Sequence, residues 1–93
     1  MNYYAVIYDY ADPDQQEKHR PAHRQYLSQL HTAGKLVVSG PFLDGGQGAL
    51  LIFKAESAQE VEELLAQDPM FTGRVVLAHT IRQWNPVLGS LSN

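Results

Sequence analysis

The sequence predicts an α+β domain. Four segments have strand character, two carry apolar residues at helical spacing, and they alternate in the order β-α-β-β-α-β. Strands show as short runs of β-branched and aromatic residues between turn formers, helices as apolar positions three and four apart. That order fits a ferredoxin-like split βαβ unit, in which an antiparallel four-stranded sheet carries both helices on one face. No linker, repeat or low-complexity tract divides the 93 residues, so residues 1–93 are expected to form one domain.

The first strand is placed at residues 3–9, where Tyr3, Tyr4, Val6, Ile7 and Tyr8 suit a pleated surface. Ala11, Asp12, Pro13 and Asp14 then form a loop or a short helical turn. From Pro21 onward, Ala22, Tyr26, Leu27, Leu30 and Ala33 recur at helical spacing, and Gly34 follows where a left-handed cap is wanted. Proline is tolerated in the first turn of a helix and not in its interior, so the main helix is expected to begin near Arg20.

Residues 35–41 and 48–54 read as neighbouring strands across an Asp44-Gly45-Gly46 turn. Ser57 and Glu60 fit a capping box ahead of Val61, Leu64 and Leu65, so a second helix runs to about Gln67 and Asp68-Pro69 stops it. Residues 74–84 supply the last strand, and the tail from Asn85 is irregular. Residues 50–53 and 75–78 are apolar at successive positions, so both faces of those strands call for burial while two helices cover only one. A self-complementary, sheet-to-sheet homodimer would cover the other.

Composition narrows the function. Ten acidic residues against seven scattered basic ones give a formal charge of −3, which argues against a nucleic-acid partner. No apolar run approaches the roughly 18 residues that cross a bilayer, and the N-terminus lacks a signal pattern, so a cytoplasmic protein without a membrane partner is expected. Cysteine is absent, which removes disulfides, thiolate nucleophiles and sulfur-ligated metals together. Gly45, Gly46 and Gly48 match no phosphate-binding fingerprint, and no cofactor is expected.

Chemistry then falls first to the histidines, the side chains that titrate near neutrality. His23 shares a helix face with Tyr26, Leu27 and Leu30 near the expected helix start, where the dipole favours neutral imidazole. It is either a general base or a half-buried histidine bonded to backbone. His79 shares a strand face with Val75, Leu77 and Ile81 and reads as a satisfied sheet histidine, and His31 falls outside the apolar face. His19 and His23 stand four apart, but Pro21 between them and the lack of further ligands argue against a metal. Asp68, at the C-terminal end of a helix where the dipole disfavours negative charge, is either helix-stop chemistry or the acid that orients His23. Ser39, Gly40 and Pro41 end a strand where exposed backbone and small side chains admit a ligand or simply make a turn; a close approach there would make Gly40 intolerant of a Cβ.

Arg20-Pro21-Ala22-His23, Tyr26-Leu27, Gly34-Lys35-Leu36, Ser39-Gly40-Pro41, Asp68-Pro69 and a closing Trp84, in that order, resemble the YCII-related family over nearly the whole chain. The resemblance implies a dimeric α+β barrel of ferredoxin-like subunits, with a pocket whose His and Asp correspond to His23 and Asp68. Some members of the family resemble dehydrochlorinating or isomerising enzymes on oxidised aromatic rings. The expected function is therefore a cofactor-free lyase or isomerase on a small carbonyl or phenolic substrate. His23 and Asp68 would be catalytic, with Arg20, Ser39, Gly40 and Pro41 binding substrate. A non-catalytic small-ligand binder or regulatory accessory, or a purely structural dimerisation module, would use the same residues without turnover.

Overall fold

Period-two alternation along the first strand decides which side of the sheet becomes the core. In a computed structural model, which describes residues 2–10, 13–44 and 48–91, strand β1 (Asn2–Tyr10) buries Tyr4, Val6 and Tyr8 on one side. The elements that follow are α1 (Pro13–Thr32), β2 (Leu36–Pro41), β3 (Gly48–Ala55), α2 (Ala58–Ala66), a short α3 (Pro69–Thr72) and β4 (Val76–Trp84). The strands form one antiparallel sheet in the order β2-β3-β1-β4, the ferredoxin-like arrangement. Tyr4, Val6 and Tyr8 pair with Phe53, Leu51 and Ala49 of β3, so these six side chains share the helix-covered face. Val61 and Leu65 of α2 and Leu30 of α1 close over them as the core.

The second helix begins as its capping box requires: the Ser57 side chain accepts from the Glu60 N–H, and the Glu60 carboxylate accepts from the Glu56 N–H. Gly34 ends α1 at φ +80°, the left-handed cap its position implied. Tyr26 ties the helices together by donating its hydroxyl to the Leu64 carbonyl at 2.7 Å. The turn expected at Gly45 and Gly46, like that at Ala11 and Asp12, lies outside the described residues.

Two expectations are corrected. The main helix does not begin near Arg20; it begins at Pro13 and runs through Pro21. Pro21 lies on the exposed side, while Gln16 before it and His23 after it are both buried. A helix wrapping a sheet is bent with its solvent side convex, and its solvent-side hydrogen bonds are the ones most easily given up. His23 is thus well inside the helix, beyond the reach of the dipole at its start. Asp68, in turn, does not end α2 in isolation; Gln67 is the cap of α2, and Asp68 is the N-cap of α3, with Pro69 in its first turn.

The opposite face of the sheet is open. Ile7 pairs with Leu50, and Leu50 with Gly40, placing those positions together on that face, where Ile7 is 45% and Leu50 36% exposed. Val38 and Trp84 are exposed as well. No helix among the described residues is long and apolar enough to cross a membrane.

Candidate active site

Continuity through Pro21 builds the site. Gln16, Arg20, His23 and Leu27 fall at spacings of four, three and four, so α1 presents them as one stripe toward the sheet. A cavity of about 410 Å³ lies beneath that stripe. Its floor comes from Tyr8 and Tyr10 of β1 and Ala49 and Leu51 of β3, and one side from Ser39, Gly40 and Pro41 of β2. Arg24 and Phe42 complete the rim.

The His23 ring borders this cavity and backs onto Asp68, which is fully buried. His23 Nδ1 lies 2.7 and 2.8 Å from the two Asp68 oxygens, and Asp68 Oδ1 also accepts the Met70 N–H at 2.9 Å. An ionised carboxylate only accepts, so Nδ1 is the nitrogen that donates to it, and in a neutral imidazole Nε2 is the one left with a lone pair. Helix α3 therefore holds the acid, and the acid fixes the tautomer of the base. Asp68 itself does not line the cavity; it stands behind His23.

Two phenols share the floor. Burial pushes the Tyr8 hydroxyl far above the ordinary phenol range, reinforced by Tyr10 beside it and by the charge of Asp68. Burial likewise raises Tyr10, opposed by contact with the Tyr8 hydroxyl and by Arg20. Tyr8 is held edge-on between Tyr10 and Phe71, with ring centroids 5.3 and 5.6 Å away. Its hydroxyl is buried and meets no partner at full hydrogen-bond geometry among the described residues, with the Tyr10 hydroxyl beside it as the acceptor it leans toward.

A phenol raised on folding stabilises the protein fully below its unfolded pKa of about 10, and that stability is lost as pH rises toward the folded value. Denaturant midpoints should fall between about pH 9 and 11 in the wild type, and Tyr8→Phe should flatten the decline. An equally steep fall in the variant would exclude Tyr8 as its source.

Ser39 and Pro41 pair with Leu51 and Ala49, on the cavity side, whereas Gly40 alternates to the open face. A Cβ on Gly40 would meet nothing within 4 Å, so the expected intolerance of that glycine is not found in the single chain. The demanding glycine is Gly48, whose Cβ would stand 2.7 Å from the Tyr8 carbonyl oxygen, a backbone atom that cannot swing aside. Gly48→Ala should destabilise by about 1–3 kcal/mol in chemical denaturation, and Gly40→Ala by much less.

The remaining histidines stand apart from the cavity. His31 bonds through Nδ1 to the Leu36 carbonyl at 2.9 Å, joining α1 to β2. His79 is the satisfied sheet histidine expected, though on the exposed edge strand β4: its ring pairs with Glu62 at 3.1 Å and stands edge-on to Phe71. The His19 ring covers Gly73, leaving no room there for a Cβ. Among the described residues no three metal-ligating side chains stand together.

Sequence reasoning did not anticipate Gln16, Tyr8 or Tyr10 in the cavity. For the tyrosines the signal was their phase with Tyr4 and Val6 along β1. For Gln16 it was the four-residue step to Arg20, hidden by starting the helix near Arg20.

Fold and site together define a ferredoxin-like α+β domain with a buried His–Asp pair on the wall of a small cavity. The YCII-related domain model matches residues 1–85, and the chain belongs to that family. Among solved structures, 5-chloro-2-hydroxyhydroquinone dehydrochlorinase (TftG) from Burkholderia phenoliruptrix, in complex with 2,5-dihydroxybenzoquinone, is similar at 25% identity. The match covers 89% of this chain and 93% of that one with a TM-score of 0.77. A NIPSNAP family protein from Agrobacterium tumefaciens (17% identity, 97% and 94% covered, TM-score 0.60) is similar in fold. So is a dimeric ferredoxin-like protein from an uncultured marine organism (12% identity, 87% and 83% covered, TM-score 0.57). No curated protein matches the sequence.

Proposed function

We propose that the chain is a lyase or isomerase acting on a small carbonyl or phenolic ring, working as a cytoplasmic homodimer without a cofactor. The observation that carries this reading is the His23–Asp68 pair, buried behind the cavity wall with Nε2 as the ring's remaining basic atom. Nε2 takes a proton from a substrate O–H or C–H, and Asp68 stabilises the imidazolium that results. The electron pair left behind moves through the ring. It either expels a leaving group, which departs with the proton as an acid, or is reprotonated elsewhere by the same imidazolium. Arg20 lies on the rim where a developing oxyanion would be held, and Ser39 and Pro41 shape the side of the pocket. Likeness to a dehydrochlorinase seen with a dihydroxyquinone supports an oxygenated ring as the substrate class.

The test is a panel of dihydroxy-aromatic, halogenated hydroquinone and hydroxyquinone compounds, followed spectroscopically with wild type and His23→Ala. Turnover that disappears with His23 supports the lyase or isomerase. Saturable binding without turnover in either protein would assign the cavity to a non-catalytic binder.

A further inference from the structure

The cavity has a second polar pole that the His–Asp pair does not use. The Tyr8 hydroxyl is buried and meets no partner at full hydrogen-bond geometry among the described residues; the group beside it, toward which it donates, is the Tyr10 hydroxyl. Tyr10 is half-buried, borders the cavity, and feels the charge of Arg20 on the same wall. Arg24 adds a second guanidinium to the rim. A phenol that stays protonated is a donor in need of an acceptor. The Tyr10 oxygen becomes that acceptor once Tyr10 turns its own proton toward something else.

We infer that Tyr8 and Tyr10 form a two-hydroxyl donor chain that, together with Arg20, holds an ionised oxygen of a small planar ligand. Tyr10 touches the ligand, and Tyr8 is a positioning residue behind it. The ligand then carries two oxygen functions, one at this pole and one within reach of His23. An ionised hydroxyquinone or similar acidic enol meets that demand, since charged acceptors strengthen phenol and guanidinium hydrogen bonds. A neutral diol does not. This inference rests on the cavity being a substrate site, as proposed above.

The experiment titrates 2,5-dihydroxybenzoquinone, ionised at neutral pH, and neutral hydroquinone into four proteins: wild type, Tyr8→Phe, Tyr10→Phe and the double variant. Tyr10→Phe should weaken dihydroxybenzoquinone binding about tenfold or more, the loss expected for one hydrogen bond to a charged acceptor. Tyr8→Phe should weaken it about threefold and have no further effect once Tyr10 is replaced, because it acts through Tyr10. Hydroquinone affinity should be the same in all four. Unchanged dihydroxybenzoquinone affinity in Tyr10→Phe, additive losses, or an equal loss for hydroquinone would each overturn the donor chain while leaving the pocket intact. Failure of the wild type to bind either compound would remove the substrate-site reading and the donor chain with it.

Discussion

Asp68→Asn is expected to keep the fold and remove most of the turnover, by about a hundred- to ten-thousandfold, on whichever ring substrate the wild type consumes. The side chain is nearly isosteric, and its amide oxygen still accepts the Met70 N–H that starts α3. Its amide NH₂, however, faces His23 as a donor. With a donor in place of Oδ2, 2.8 Å from Nδ1, and no negative charge to hold the Nδ1 proton, the tautomer protonated on Nε2 is favoured, and in it the ring has no basic atom next to the cavity. Asp68→Ala goes further, since it leaves both His23 and the Met70 N–H without their buried partner, and should cost about 3–5 kcal/mol of stability. kcat for the asparagine variant and urea unfolding for the alanine variant separate the two effects. An asparagine variant with wild-type kcat would show that the carboxylate takes no part in the chemistry.

Light scattering at micromolar concentration should report twice 10.4 kDa. The motive is the open sheet face, where Val38 is 54% exposed and Trp84 43%, beside Ile7 and Leu50. Covering a large aliphatic side chain contributes about 1.5–3 kcal/mol, so a contiguous set is enough to hold two copies together. Replacing Ile7 and Leu50 together by lysine puts charge at the centre of that face and should yield monomers. A wild type that stays monomeric would leave the apolar face unaccounted for and defeat the sheet-to-sheet arrangement.

What the sequence revealed depended on whether a signal was local. Strand phase in residues 3–9, the Ser57 and Glu60 cap and the Gly34 cap are set by near neighbours, and each stands where the pattern placed it. Pro21 misled because proline's lost N–H is a local cost, whereas the burial of Gln16 and His23 that keeps the helix continuous through it is tertiary. Gly40 and Gly48 were exchanged for a related reason. Their difference lies in which face of the sheet each presents, and the shift in register between Leu36 and Val38 cannot be read from composition. Tyr8 passed as a strand former, and Tyr10 lay one residue beyond the expected strand, because nothing in a run of aromatics marks a hydroxyl turned toward a cavity.

His23 and Asp68 meet across 45 positions of chain. Neither α1 nor the α2–α3 corner can form that contact alone, so making it closes a long loop, whose entropy is lost before the contact repays it. The Met70 amide is bound to the same carboxylate. Its hydrogen exchange is therefore tied to the integrity of the pair: a solvent-protected Met70 amide marks a molecule in which Asp68 is seated beside His23, and a partly folded chain, however rich in helix, has no such mark.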